Sequence, residues 1–373
     1  MSTETMTTAV PGWLEQPVQL APRVSLVEGA DGHCLLFNAE TGVYVRLSRT
    51  GAHVVPLLDG TRTGSVLLAA ASRSRGPDGV RDRSPDLLTF LNDLRAAGVL
   101  CTPPEPLRGT RLLFARLFRL APEFRIPAGR LNRLLGPPAR FVARFARAIS
   151  IVAVLLAVAA VAAVTLAMTR PAPIGVAGPP WLLIAGVFLV QAAIHETAHA
   201  TVCQALGVPV REAGVKLLLL LIPLSFVDRT DAYRVRSRSG RAALALAGPL
   251  IDVTAAGLTS LLVLSDPARF GELRWLLGMQ LFLACNNLNP LLPVTDGHHA
   301  LEAALGELNL RHRAFAYLGH VLFRIPLPSA HRSVSAARRR MYLIYGLVSG
   351  VYVGVVLTLI ARNYYSLVVQ VTT

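Results

Sequence analysis

Residues 181–206 read WLLIAGVFLVQAAIHETAHATVCQAL. From Trp181 to Ile194 no residue is charged; His195, Glu196 and His199 then appear inside what is otherwise a membrane-length apolar segment. A charged side chain at bilayer depth costs roughly 2.5–3.5 kcal/mol on insertion scales, so such groups are kept where they are paired or have work to do. His195 and His199 are four residues apart and therefore share one face of a helix. Two imidazoles so placed can bind one Zn2+, with Glu196 beside them as a general base.

The surrounding sequence is of the same kind. Residues 148–168 carry no charge at all, and residues 242–264, 275–292 and 341–361 are further apolar stretches. Each is close to the ~20 residues that a helix needs to cross the hydrocarbon core. Residues 217–224 are too short to cross and contain Pro223, so a re-entrant or interfacial element is expected. The expectation is a polytopic α-helical membrane domain over residues 148–373, with about five spans plus one re-entrant element.

Composition agrees. The chain of 373 residues is 53% hydrophobic and 16% charged, against about 25% charged in soluble proteins. The net charge of +15 is almost all arginine, Lys216 being the single lysine. Residues 108–147 hold ten arginines and one acid, Glu123, interleaved with Leu, Phe and Pro. That pattern fits a basic amphipathic linker over residues 106–147, lying at a membrane interface. If residues 217–224 do not cross, the linker, residues 211–241 and residues 311–340 all fall on one side, with ten, seven and seven Lys/Arg. The other side receives Arg170, Arg269, Arg274 and Arg362. The positive-inside rule then makes the basic side cytoplasmic. Met1–Thr8 are polar, with neither a basic nor an apolar signal region, so the chain is expected in the inner (cytoplasmic) membrane with its N-terminal domain in the cytoplasm. The four cysteines are far apart with no CxxC pair, which argues against a disulfide framework or a cysteine zinc knot.

Residues 1–105 read as a separate α+β domain of winged-helix-like order, β-β-β-α-α-α. The strands lie near residues 23–28, 33–38 and 42–47, a first helix runs from Ser48 to Asp59-Gly60, and a second covers 64–72. Ser84-Pro85 opens a third helix, with Leu87, Leu88, Leu91 and Leu94 on one face and Gly98 after its end. The stretch 87–97 contains only Arg95 against Asp93, so this is no DNA-recognition helix and nucleic acid is not an expected partner.

Two histidines do not complete a catalytic zinc site, which takes a third protein ligand and keeps an open position. Residues 286–299, NNLNPLLPVTDGHH, offer one: Asp296 follows a proline-broken helix end beside Asn286, Asn287 and Asn289. Irregular backbone at membrane depth is tolerated where it lines a cavity or is buried in protein. His298 and His299 compete with Asp296 for the role.

These motifs resemble the site-2 protease family of intramembrane metalloproteases: HExxH in one span, a later N-P…D-G in another, and Ala247-Gly248-Pro249-Leu250 between them. Residues 223–233 and 237–250 look closest to the branch called peptide zinc metalloproteases. Five residues separate Pro290 from Asp296 where the simple family pattern has four, and Asp252 stands where many members have asparagine. The resemblance implies that His195, His199 and Asp296 hold zinc, that Glu196 is the catalytic base, and that Asn287 or Asn289 hydrogen-bonds the substrate backbone or oxyanion. The N-terminal domain resembles PqqD-like domains, which bind the leaders of ribosomally made, modified peptides. There a leader adds as a strand to the edge corresponding to Val43, Tyr44, Val45, Arg46 and Leu47, and packs on the helix that carries Leu91 and Arg95. Together the two resemblances imply an intramembrane zinc endopeptidase that binds and cleaves the leader of such a precursor, in a biosynthetic cluster of the daptide type. The alternatives are a regulatory protease that cuts a membrane-anchored signalling protein, and a non-catalytic membrane anchor that presents the peptide.

Overall fold

In the computed structural model the described residues are 11–28, 34–38, 44–73, 75–76, 79–80, 84–103, 122–170, 178–218, 222–228, 234–235, 237–292, 295–307, 309–327 and 334–372. They form two compact units, Met1–Arg116 and Leu117–Thr373. Val43 and residues 104–121 of the basic linker lie outside the described residues.

In the first unit, β2 (Val24–Glu28), β3 (Cys34–Asn38) and β4 (Tyr44–Arg46) form an antiparallel sheet in the order β2-β3-β4, following β1 (Pro17–Gln19). Ser48 caps α1 (Arg49–Val54) by accepting from the Gly51 N–H at 2.9 Å. The helix stops well short of the expected Asp59-Gly60. Pro56 has no N–H to continue the ladder, so Val55–Leu57 tighten into a 3-10 turn, and Asp59–Thr63 become β5, which pairs with β1. Thr63 then caps α2 (Gly64–Ser72). After the two-residue strands β6 (Arg75–Gly76) and β7 (Gly79–Val80), α3 (Ser84–Ala96) ends at Gly98, which adopts a left-handed φ of 67°. Leu14, Leu36, Leu47, Leu58, Leu91, Leu94 and Val99 close the core of this unit.

The second unit opens with β8 (Glu123–Pro127) and α4 (Ala128–Arg144). Four helices are long and apolar enough to cross a membrane by length and composition: α5 (Ala146–Thr169), α6 (Trp181–Ala205), α7 (Arg238–Ser265) and the Ala336–Asn363 part of α12 (Ala336–Thr372). Between α6 and α7 the expected re-entrant segment is a β-hairpin, β9 (Glu212–Leu218) with β10 (Ile222–Val227). It forms a three-stranded sheet with β8, so the linker and the hairpin satisfy each other's main chain. The Arg125 hydrogen bond on that sheet holds the Glu123 carboxyl below its ordinary value.

The expected span over residues 275–292 is broken. After the short α8 (Pro267–Phe270), α9 (Leu273–Asn287) has 15 residues and ends before Asn289-Pro290. The chain resumes as α10 (Asp296–Leu305), then α11 (Leu310–Phe323). The two short helices still traverse the bundle between them. At one end Arg274 donates to the Arg170 carbonyl at 2.9 Å, beside the end of α5. At the other, Gly306 meets the Arg238 guanidinium at the start of α7. Thus α9 and α10 together cover the length that α7 covers alone.

Small residues set the closest packing. Ala160, Ala163 and Ala167 of α5 are buried, as are Ala256, Gly257 and Ser260 of α7. A Cβ at Gly257 would come within 2.8 Å of the Ala160 Cα. In an apolar solvent helices associate through such close backbone approach, because lipid tails are as apolar as leucine. Gly257→Val should therefore lower the apparent Tm in detergent, by a loss of about 1–3 kcal/mol; an unchanged melt would remove this contact from the account.

Candidate metal centre

His195 lies 14 residues into α6, about 21 Å from Trp181 at 1.5 Å per residue. Asn287 lies equally far from the start of α9, and Asp252 about 20 Å from the end of α7. Three helices thus bring polar side chains to one level, and the α9–α10 break delivers Asp296 to it. His195, His199 and Asp296 are all buried, and one ligand atom from each lies within 4.8 Å of the others. The contacts are closer than that limit: His195 Nε2 to Asp296 Oδ2 is 3.2 Å, His199 Nε2 to the same oxygen 3.1 Å, and Nε2 to Nε2 3.2 Å.

The outer nitrogens decide what this triangle can hold. His199 Nδ1 donates to the Leu244 carbonyl at 2.7 Å. A carbonyl only accepts, so in neutral His199 the proton is on Nδ1 and Nε2 presents a lone pair. His195 Nδ1 lies 2.9 Å from Asp252 Oδ2, which places its proton in the same way. Two imidazole lone pairs and a carboxylate oxygen therefore converge, an arrangement that a cation relieves. Zinc–ligand bonds of about 2.1 Å at tetrahedral angles put donors about 3.4 Å apart, close to the sides of this triangle. Gly248 of α7 keeps the space open, since a Cβ there would overlap Nε2 of both histidines. Pro249, lacking an N–H, leaves the Ala245 carbonyl without its helical donor, one residue after the Leu244 carbonyl that takes the His199 bond. Two imidazoles and one carboxylate, with an opening lined by glycine, fit a zinc ion.

Further groups hold the ligands. Asn287 donates to Asp296 Oδ2 at 2.9 Å and its own oxygen accepts the Asp296 N–H at 3.3 Å. Asp252 accepts on its second oxygen from Gln191, which in turn accepts from Gln280, both at 2.9 Å. Carboxylate–histidine pairs of this kind fix the ring and raise its basicity. Glu196 is half-buried next to His195 on the same helix. Asn289 is engaged elsewhere: its Oδ1 accepts from the Leu291 N–H and its carbonyl from Thr295. His298 and His299 both turn to Glu302, at 3.3 and 3.4 Å, rather than to the triangle. Of the groups around the site, Asp252 was visible in the sequence as a charge inside a span and Gln191 as a polar residue beside the histidines. Gln280 and the Leu244 carbonyl had no comparable signal, and Gly248 stood only within the Ala247-Gly248-Pro249-Leu250 stretch of the family resemblance.

In the first unit, β4 is the last strand of its sheet among the described residues. Leu47 donates to the Cys34 carbonyl at 2.9 Å, and Leu35 pairs with Arg46. The alternation of an antiparallel ladder then turns the main-chain groups of Val45 toward β3 and those of Tyr44 and Arg46 away from it. Residues 33–100 match the family described as Coenzyme PQQ synthesis protein D (PqqD).

The match takes in β3, β4, α1, α2, α3 and the residues after Gly98. It takes in the outward edge and α3, and the structure corrects one expected contact. Leu91 is fully buried in the core and cannot meet a peptide; the partly exposed apolar residues of α3 are Leu87, Leu88 and Phe90. Arg95 donates to the Pro103 carbonyl and lies over the Trp13 ring, so it serves its own unit. Tyr44 stacks on Phe37. Beyond this family, 75 residues are 36% identical to an uncharacterized protein of Methanocaldococcus jannaschii, and the chain spans about 20% of that relative's length, as the match spans 20% of this chain. No solved structure matches the chain.

Two substitutions test the centre. Gly248→Ala should abolish metal retention by driving a methyl group against both Nε2 atoms, without replacing a ligand. Asp252→Ala should weaken metal binding roughly 10–100-fold through His195. Chelator competition on purified protein, read against the wild-type metal content, measures both.

Proposed function

We propose that the chain is a membrane-embedded zinc endopeptidase that captures the leader of a ribosomally synthesised, modified precursor peptide and cleaves it. The convergence of His195, His199 and Asp296 lone pairs within an apolar helical body carries the catalytic half of this reading. The PqqD match carries the binding half, since such domains recognise precursor peptides.

Zinc held by the three ligands would polarise the scissile carbonyl and lower the pKa of a water toward about 7. Glu196 would take a proton from the attacking water and return it to the leaving amine nitrogen. Asp252 keeps the His195 proton on Nδ1, so that Nε2 remains a ligand. Asn287 grips both the carboxylate and the N–H of Asp296 and holds that ligand at the break. Placing the Arg238 end of α7 in the cytoplasm puts the basic segments 211–241 and 311–340 and the linker on one face. It also puts the histidines in the half of α6 nearer a cytoplasmic peptide. The first unit would raise the concentration of the leader near the centre by tethering it.

Mass spectrometry of a precursor peptide incubated with the full-length protein tests the reaction. Glu196→Gln should abolish hydrolysis while the metal stays bound; hydrolysis that survives it would sink the catalytic assignment. Removing residues 1–105 should impair cleavage of the full precursor; unchanged cleavage would favour a regulatory protease without leader capture. For the strand edge, Arg46→Pro removes an outward N–H and should weaken leader binding roughly fivefold, the worth of one main-chain hydrogen bond. Isothermal titration with the leader peptide reads it, with circular dichroism confirming that the variant is folded.

A further inference from the structure

The helix α4 carries an exposed surface that the proposed reaction does not use. Leu131 and Leu135 are buried in one cluster with Ala200 and Cys203 of α6 and with Val208 and Val210 beyond it, and Ala139 is buried on the same side of the helix. Asn132 fixes the docking: it donates to the Val210 carbonyl, accepts from the Val210 N–H, and its own carbonyl accepts from Gln204. The rest of the helix is turned outward, and it is sorted. At about 100° per residue, Arg140, Arg133, Arg144 and Arg130 fall within an arc of about 80°, and Phe141, Leu134 and Phe145 within the next arc, about 40° wide. The four arginines are exposed. Leu134, Phe141 and Phe145 are 69%, 59% and 44% exposed, although the protein's own buried face adjoins them. No acidic residue occurs from Ala128 to Arg147. One residue, Phe145, separates α4 from α5, the most apolar of the four membrane-length helices.

We infer that α4 is an in-plane interfacial helix whose outer face binds anionic phospholipid headgroups. Its apolar arc enters the acyl boundary while the neighbouring arginines meet the phosphates, to which guanidinium groups bond in bidentate fashion. The direct continuation into α5 places the arc at the membrane boundary, and charge complementarity selects an anionic leaflet over a neutral one. The contact also has a consequence for the metal centre. Asn132 ties α4 to the end of α6, and His199 lies six residues back from Ala205, about 9 Å along the helix. A helix held in the headgroup layer therefore sets the depth of the histidines in the bilayer.

Full-length protein reconstituted in nanodiscs of mixed phosphatidylcholine and phosphatidylglycerol tests this through the lipids retained after gentle extraction, together with hydrogen exchange of residues 128–144. Wild-type protein should retain phosphatidylglycerol enriched at least about threefold over the bulk mixture, and its α4 amides should exchange more slowly than in pure phosphatidylcholine. The Arg130→Gln, Arg133→Gln, Arg140→Gln, Arg144→Gln combination should bring the lipid ratio back to bulk while the metal content and melt stay unchanged. Leu134→Gln with Phe141→Gln should speed amide exchange. A bulk lipid ratio for wild type, or enrichment that survives the four glutamines, overturns the inference. So does protection of α4 by an acidic peptide with no lipid selectivity, which would assign the arginines to a peptide instead.

Discussion

Three atoms that all offer electron pairs, His195 Nε2, His199 Nε2 and Asp296 Oδ2, stand 3.1–3.2 Å apart inside an apolar body. Left to themselves they repel, and the low dielectric makes that repulsion stronger than it would be in water. Much of the second unit can be read as the machinery that holds them there. Asp252 and the Leu244 carbonyl fix where the imidazole protons sit, Gln191 and Gln280 satisfy Asp252, and Asn287 grips Asp296 twice. Each is a polar group that would be costly in this environment if it had no partner, and each partner is another member of the same network. The chain of bonds ends at Gln280, whose Oε1 is buried without a partner among the described residues, and it ties together the helices that carry its members.

The break between α9 and α10 follows from the same need. A continuous helix would satisfy its own main chain and would carry Asp296 about two and a half turns beyond Asn287. Interrupting it at Asn289-Pro290 lets the chain fold back, so that Asn287 and Asp296 touch across nine positions of sequence. Gly297 marks how tight the return is, because a Cβ there would overlap the Leu288 carbonyl. Thr295 caps the new helix through the His298 N–H, which places the Asp296 carboxylate in the first turn, where the helix dipole favours a negative charge. On the far side α11 and α12 secure the loop: Arg311 and Ser349 donate to the Leu291 carbonyl and Tyr345 to that of Pro290.

The first unit solves a simpler problem with different means. Its sheet packs one face on a leucine core, and its last strand presents main-chain groups outward, the geometry by which an extended peptide is added. The family match lies within this unit, over residues 33–100. One chain thus joins a PqqD-like unit with an outward strand edge to a helical unit that brings three metal-ligating side chains together.

The sequence by itself determined the apolar, membrane-length segments within residues 148–373, the shared face of His195 and His199, the interruption before Asp296 and the PqqD-like pattern of the first unit. These depend on composition, on the 3.6-residue period and on local turn chemistry, all written along one stretch of chain. Pro56 ended a helix earlier than its apolar pattern suggested, and the short apolar segment at residues 217–224 became a hairpin because the linker strand β8 was there to pair with it. Only the tertiary structure decided that Asp296, and not His298 or His299, joins the histidines, because Glu302 lies within reach of those two rings. Only it revealed that Asp252 stands behind His195 and that Gly248 leaves the room between the ligands. Those facts depend on which face of α7 meets α6, and that is set by small residues packing across helices, which no single segment specifies.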